Sequence, residues 1–171
     1  MNPAPTIRRL VPSDAAAYQQ LRLMALAESP TAFGSSVEAE SGLPLSLIAS
    51  QMETHSGRQR FGAFDGERLV GLVGVGRESA LKTRHKGYIG GVYVRPDQRG
   101  KGLGRQLMQA ALAGAATMEG VRQLSLNVTA NNTSAIALYA SLGFTAYGRE
   151  PNALLVDQVM YDNVLMVYQV T

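Results

Sequence analysis

The chain has 171 residues, 46% of them hydrophobic and 17% charged, with a formal net charge of +3; that suffices for one domain, spanning residues 1–171, with its own core. It holds no cysteine, which excludes disulfides, thiolate metal sites and a cysteine nucleophile together. No window approaches the roughly 18 apolar residues of a membrane span, and Met1-Asn2-Pro3-Ala4-Pro5-Thr6 is no signal peptide, so a cytoplasmic protein with no membrane partner is expected.

Residues 6–11 alternate enough for a first strand, which Pro12 stops. Ser13 or Asp14 then caps a helix with Tyr18, Leu21, Met24 and Ala25 on one face, ended by Glu28-Ser29-Pro30. A second helix is predicted over residues 44–53, with Leu45, Ile48 and Met52 spaced for one face. From Arg60 the period changes to that of strands, and Asp65-Gly66 marks a hairpin. A basic loop leads to a central strand at residues 87–94 that contains the pair Gly90-Gly91. Such a pair marks a bulge and a ligand's close approach, or else a tight crossing over a neighbouring side chain.

The strand runs into Arg95-Pro96-Asp97-Gln98-Arg99-Gly100-Lys101-Gly102-Leu103-Gly104-Arg105 and then an amphipathic helix repeating Leu103, Leu107, Ala111 and Ala115, expected to end at Glu119-Gly120. A glycine-rich basic turn opening a helix leaves several N–H groups aimed one way at the positive end of the helix dipole, which suits a phosphate or pyrophosphate. Residues 124–128 form the next strand. Asn131 or Asn132 caps a helix carrying Ile136, Tyr139 and Ala140, and Gly143 sits where a left-handed C-terminal residue belongs, with Phe144 placed for the accompanying contact. The tail reads as a long hairpin bent at Pro151. Together these elements predict an α/β chain: a single mixed sheet, about seven strands, with about four helices on its two faces.

Two phosphate motifs fail. Gly100-Lys101-Gly102-Leu103 lacks the spacing and hydroxyl of a Walker A loop, and neither Gly100 nor Gly102 starts a Gly-x-Gly-x-x-Gly fingerprint. The basic residues Lys82, Arg84, His85 and Lys86, with Arg95, Arg99, Lys101 and Arg105, come with 6% aromatics and no helix-turn-helix or zinc pattern, so nucleic acid is not the expected partner.

What does fit is a resemblance. Val92-Tyr93-Val94-x-Pro96-x-x-Arg99-Gly100-Lys101-Gly102-Leu103-Gly104-x-x-Leu107 resembles the acyl-CoA signature of the GNAT superfamily of N-acyltransferases. Asn132-x-x-Ala135-x-x-Leu138-Tyr139-x-x-Leu142-Gly143-Phe144 resembles that family's second segment, at the right distance. The resemblance implies a GNAT-like fold and an acetyltransferase that uses acetyl-CoA as co-substrate, without a metal. It places the pyrophosphate on the backbone amides of Arg99, Gly100, Lys101, Gly102, Leu103, Gly104 and Arg105. It lays the pantetheine arm along Val92 and Val94 and gives Asn132 and Ala135 contacts with that arm. A homodimer is common among such enzymes.

With no cysteine, the implied chemistry is direct attack by an amine within a ternary complex. The Val94 N–H is the candidate oxyanion donor, and Tyr139 is the general acid that protonates the departing sulfur. By position alone Tyr139 would be a core tyrosine, and Asn132 a plain helix cap with Asn131 as the alternative cap. Some relatives carry a glutamate at the position of Gly90, so the base is sought at His85, Glu78 or Glu28, or in a water chain. Phe33, Tyr88, Tyr147 and Tyr161 are candidate acceptor-pocket residues, and Glu28, Glu38, Glu40, Glu150, Asp157 and Asp162 are acids available to attract a cationic amine. The expected acceptor is a small-molecule primary amine. The alternatives are a peptide or protein amine, and a non-catalytic acyl-CoA-binding module.

Overall fold

The computed structural model describes residues 3–54 and 57–171. In chain order the elements are β1 (Thr6–Arg9), α1 (Ala15–Glu28), α2 (Val37–Glu40), α3 (Leu45–Ser50), β2 (Arg58–Asp65), β3 (Arg68–Arg77), β4 (Lys86–Val94), α4 (Leu103–Ala116), β5 (Gln123–Thr129), α5 (Thr133–Ser141), β6 (Thr145–Val156) and β7 (Val159–Gln169). The strands form one seven-stranded sheet in the order β1-β2-β3-β4-β5-β7-β6. Every neighbouring pair is antiparallel except β4 and β5, which run parallel. The mixed sheet is as predicted. Among the described residues the α-helices number five rather than about four, because the segment before α3 holds the single turn α2, capped by Ser36 Oγ accepting from the Ala39 N–H at 3.2 Å.

Each face of the sheet has its own core. On one side α4 lays Leu103, Leu107, Met108, Ala111 and Ala115, all 2% exposed or less, against Val70, Val73, Val75 and Leu124. On the other side Leu21, Ala25 and Leu26 of α1 join Ile48, Met52, Leu72 and Tyr93. The face predicted for α4 is the buried one, but Leu45 and Met24, predicted inward, are exposed. In α1 Leu21 and Ala25 are buried as expected, and Leu26 takes the inward place expected of Met24.

Several boundaries moved for identifiable reasons. The Asp14 carboxylate turns back to the Val11 N–H (2.8 Å) and to Arg8 (2.8 and 2.9 Å) instead of capping α1. This ion pair holds the Asp14 carboxyl below its usual range. Helix α4 stops at Ala116, short of Glu119, where Thr117 Oγ1 donates to the Gly114 carbonyl at 2.7 Å and tightens the last turn. The long tail hairpin is present, with Asp157 and Gln158 at positive φ (47° and 64°), and its register breaks beside Pro151, between Glu150 and Leu154. Among the described residues no helix is long and apolar enough to cross a membrane.

One position sets two effects against each other. Gly114 lies inside α4, where alanine gains about 1 kcal/mol of helix propensity. A Cβ there, however, would lie 2.8 Å from the Phe61 ring and 2.5 Å from Gln59 Oε1, and overpacking costs about 1–3 kcal/mol. Gly114→Ala is therefore expected to lower stability in urea unfolding; a gain would show that Phe61 has room to yield.

Candidate active site

Strand β4 pairs with β5 only through Lys86–Gln123, Gly87–Leu124 and Tyr88–Ser125, although both strands continue, β4 to Val94 and β5 to Thr129. Beyond Tyr88 the two diverge and leave a split. Alternation along β4 then decides which backbone groups face it. The Arg95 N–H donates to the Val70 carbonyl on the β3 side (2.9 Å), so the polar groups of Val92 and Val94 point toward the split. The Val94 carbonyl is taken by Arg99 Nε at 2.9 Å.

The expected bulge is there, one residue further on. Opposite β3, Gly90 pairs with Gly74 and Tyr93 with Leu72, so Gly91 and Val92 together oppose Val73, with Gly91 at φ 65°. The extra residue reverses the inside-out order of the strand. Ile89 belongs to the core under α4, whereas Tyr93, four residues on, belongs to the core under α1.

After β4 the chain makes the glycine turn. Gly100 and Gly102 both stand at φ 78°, which a side chain would strain, and a Cβ on either would meet nothing within 4 Å. Among the described residues the first backbone bond into α4 runs from the Gln106 N–H to the Gly102 carbonyl (3.1 Å), and the N–H groups of residues 100–105 have no backbone acceptor. These are the orphan donors of a helix N-terminus. Gln98, 6% exposed, anchors the turn from beneath by donating to Asp65 Oδ2 (3.1 Å) and accepting from Lys101 Nζ (2.9 Å). Arg105 Nη2 donates to Ser141 Oγ (2.7 Å), tying the start of α4 to the end of α5.

A cleft of about 670 Å³ runs along these groups, lined by Val92, Val94, Arg99, Gly100, Gly102, Leu103, Gly104, Arg105, Asn132, Ala135 and Tyr139, with Phe33, Gln98 and Leu138 among others. Of the residues expected to hold acetyl-CoA, together with Tyr139, all are on it except Lys101, whose side chain is drawn to Gln98. Asn132, not Asn131, caps α5: its Oδ1 accepts from the Ala135 N–H at 3.3 Å and from Ser134 Oγ at 3.3 Å. The cap uses only the oxygen, leaving the side-chain NH₂ as a donor. Tyr139 is placed by the other end of the same helix. The Gly143 N–H bonds the Ala140 carbonyl, the Phe144 N–H bonds the Tyr139 carbonyl (both 3.1 Å), Gly143 is at φ 104°, and the Phe144 ring sits 6.2 Å from that of Tyr139. The tyrosine is 7% exposed, and burial pushes its hydroxyl up to about 12.

A smaller cavity of about 60 Å³ fills the split between β4 and β5, lined by Gly90, Gly91, Val92, Val128, Asn132 and Tyr139 among others. A third, of about 180 Å³, opens on the α1 face and is lined by Tyr18, Arg22, Arg58, Arg60, Tyr88, Gly90 and Gly91, among others. Gly90 and Gly91 are shared by the second and third, and Val92, Asn132 and Tyr139 by the first and second.

None of His85, Glu78 and Glu28 lines any of these cavities; His85 and Glu78 lie exposed in the loop before β4 and at its entry. Glu28 pairs with Arg99 at 3.1 Å; burial alone would raise its carboxyl, but bonds from Ser29 and Arg99 hold it below the usual range, which makes it a weak base. The acids expected to draw in a cationic amine are also elsewhere: Glu40 is bound to Arg22 and Asp162 to Arg149. Of the aromatic candidates, Tyr88 lines the α1-side cavity and Phe33 the large cleft, while Tyr147 and Tyr161 line none of the three. The arginines at Gly90 were the signal that sequence reasoning missed, because three of them converge from α1 and β2.

A split parallel pair, a glycine turn of bare amides and a buried tyrosine in one cleft define an acyl-CoA-type site on a GNAT-like sheet. The sequence profile of the Acetyltransferase (GNAT) family matches residues 23–144, and the chain belongs to that family. It is 31% identical to aminoglycoside N(6′)-acetyltransferase type 1 of Stenotrophomonas maltophilia over 146 residues, 82% of this chain and 86% of that one. It is 45% identical over 60 residues to L-methionine sulfoximine/L-methionine sulfone acetyltransferase of Pseudomonas aeruginosa, a stretch covering 35% of this chain and 34% of the relative. The matched stretch thus spans only about a third of that relative's length. Among solved structures, an acetyltransferase of the GNAT family from Streptococcus pneumoniae superposes with a TM-score of 0.87 at 20% identity, covering 97% of this chain and 99% of that one. The fold also matches yncA from Salmonella typhimurium, a structure described with its cofactor acetyl-CoA, at a TM-score of 0.84 and 23% identity over 99% and 95% of the two chains.

The raised Tyr139 value has a consequence for stability. A hydroxyl that ionises less readily in the folded state than its ordinary 10.0 stabilises the fold fully below about pH 10 and loses that contribution as pH rises toward about 12. The loss amounts to about 2–3 kcal/mol. Urea unfolding at about pH 9 and about pH 11.5 should show a steeper alkaline loss for the parent than for Tyr139→Phe; equal slopes would mean that Tyr139 is not desolvated.

Proposed function

We propose that the protein transfers the acetyl group of acetyl-CoA to the primary amine of a small molecule, by direct attack within a ternary complex. The observation that carries this reading is the continuity of the cleft. One surface joins the bare amides of residues 100–105, the unpaired edge of β4 and the Tyr139 ring. The amides and the α4 dipole suit a pyrophosphate. The open edge of β4 at Val92 and Val94 suits an extended arm carrying amides of its own, with the Asn132 NH₂ as a further donor. The wide φ of Gly100 and Gly102 and the empty space above them leave room for a phosphate to touch the backbone.

In the transfer the amine nitrogen forms a bond to the thioester carbonyl carbon and the carbon–sulfur bond breaks. The Val94 N–H supports the charge that develops on the carbonyl oxygen. Tyr139, protonated throughout the physiological range, gives its proton to the departing sulfur and is reprotonated from solvent. The attacking nitrogen loses its extra proton to solvent, because among the described residues no carboxylate or imidazole lines any of the three cavities. The acceptor must therefore arrive as the neutral amine, and kcat/KM should rise with pH toward the amine's own pKa. Relatives whose names specify an aminoglycoside or an amino-acid derivative as acceptor support a small molecule. Two copies pairing through the exposed β6–β7 hairpin, where Tyr147, Leu155, Val159 and Met160 are 51–64% exposed, fit a homodimer.

The test is thiol release from acetyl-CoA across a panel of amines, amino acids and peptides. Turnover with a small amine is expected, and Tyr139→Phe should lower kcat about 10²-fold or more with acetyl-CoA affinity nearly unchanged. Firm acetyl-CoA binding without transfer to any acceptor would overturn the enzyme reading, and an unchanged kcat would take Tyr139 out of the mechanism.

A further inference from the structure

The cavity on the α1 face gathers three arginines beside Gly90 and Gly91, the two residues it shares with the split. Its floor is glycine: Gly90 would meet nothing within 4 Å if it carried a Cβ, and a Cβ on Gly91 would meet only Arg22 Nη1, at 3.6 Å. Its lining includes Arg22, Arg58 and Arg60 together with Tyr18 and Tyr88. No carboxylate lines it among the described residues.

Two of these arginines are held in place with one donor nitrogen to spare. Arg22 is clamped by Glu40 through two bonds, Nε to Oε2 at 3.0 Å and Nη2 to Oε1 at 2.9 Å, and its guanidinium also lies 5.0 Å from the centre of the Phe33 ring. The clamp occupies one edge of the guanidinium and leaves Nη1, the atom over Gly91, without an acceptor among the described residues. Arg60 Nη2 donates to Gln51 Oε1 at 2.7 Å and its guanidinium lies 4.5 Å from the centre of the Tyr18 ring, while its Nη1 is buried with no hydrogen-bond partner. A buried guanidinium N–H that lacks an acceptor, as in Arg60, is a strong donor in waiting, and with the free edge of Arg22 on the same cavity it suits an oxyanion.

Resting on the acetyltransferase reading above, we propose that the acceptor is an amine that also carries a small oxyanion, a carboxylate or a phosphate, seated by Arg22 and Arg60, with amino acids as the leading class. The anion would lie on the α1 side, and the amine would reach through the gap at Gly90 and Gly91 toward Tyr139. The missing side chain at Gly90 is what keeps that passage open. The volume, about 180 Å³, is below that of pockets for drug-sized ligands, which favours a compact acceptor over an extended polycation. The cation-lined wall also opposes a second positive charge on the acceptor.

The experiment compares three matched sets with acetyl-CoA: the proteinogenic L-amino acids, their primary amides, and aminoalkyl phosphates of similar length. Thiol release gives kcat/KM for each. Calorimetry on the CoA-loaded protein gives binding of the same compounds without requiring turnover. An anionic set should exceed its neutral amides by about 10²-fold or more in kcat/KM and in affinity, and the better of the two anionic sets identifies the oxyanion. Arg60→Gln, and the paired change Arg22→Gln with Glu40→Gln that avoids stranding the carboxylate, should bring that ratio close to one through KM. A merely structural role for these arginines would lower both sets together and keep the ratio. Amides that bind and react as well as the anionic sets would overturn the proposal. So would a ratio that survives in both variants. Preferential binding of the anionic compounds with no transfer would support the pocket while refuting the acetyltransferase reading, so the two failures are separable.

Discussion

Everything in the site follows from the failure of β4 and β5 to stay paired. Parallel strands that separate after three residue pairs expose a row of backbone donors and acceptors inside the protein, and such groups demand partners. The bulge at Gly91 and Val92 adds to this by turning the strand over, so that one half of β4 serves the core under α4 and the other the core under α1. A regular strand would have kept Ile89 and Tyr93 on the same face. The split gives the site its depth, and the bulge connects its two sides.

The remaining parts are placed by helix ends. The start of α4 supplies unbonded amides because its first helical bond runs from Gln106 to Gly102, and the left-handed glycines turn the preceding chain so that nothing covers them. The end of α5 supplies Tyr139, whose carbonyl is the acceptor of the closing turn and whose ring packs on Phe144. A residue held by backbone bonds at one end and ring packing at the other has little freedom, which is the property that the proposed role as an acid at one sulfur position requires. Its burial keeps it protonated, so placement and protonation have the same structural cause.

The electrostatics divide along β4. On the cleft side Arg99 is neutralised by Glu28 and bonded to the Val94 carbonyl, and it acts as a brace between α1, β4 and the turn. On the α1 side Arg22 and Arg60 are braced too, by Glu40 and Gln51, yet each keeps one nitrogen without an acceptor among the described residues. A basic chain with a charge of only +3 thus concentrates arginines on the cavity proposed for the acceptor, although no run of basic residues announces it.

The local features were legible in the sequence because each depends on a few adjacent residues: the glycine turn, the buried stripe of α4, the Asp65-Gly66 hairpin, the Gly143-Phe144 helix end and the Asn132–Tyr139 segment. The family resemblance is carried by the same residues, which is why the cleft lining was named almost completely. The exceptions also have a physical reason. Lys101 follows Gln98 because that glutamine is anchored across the fold on Asp65, and Asn132 takes the cap because its oxygen reaches the Ala135 N–H. Only the tertiary structure decided the charge of the α1-side cavity. Arg22, Arg58 and Arg60 lie on α1 and β2, and the acids that resemble a cation trap in the sequence are each drawn to a partner or left in solvent. Local sequence determines where a backbone turns; which side chains meet across a sheet depends on register, and register is set by contacts far apart in the chain.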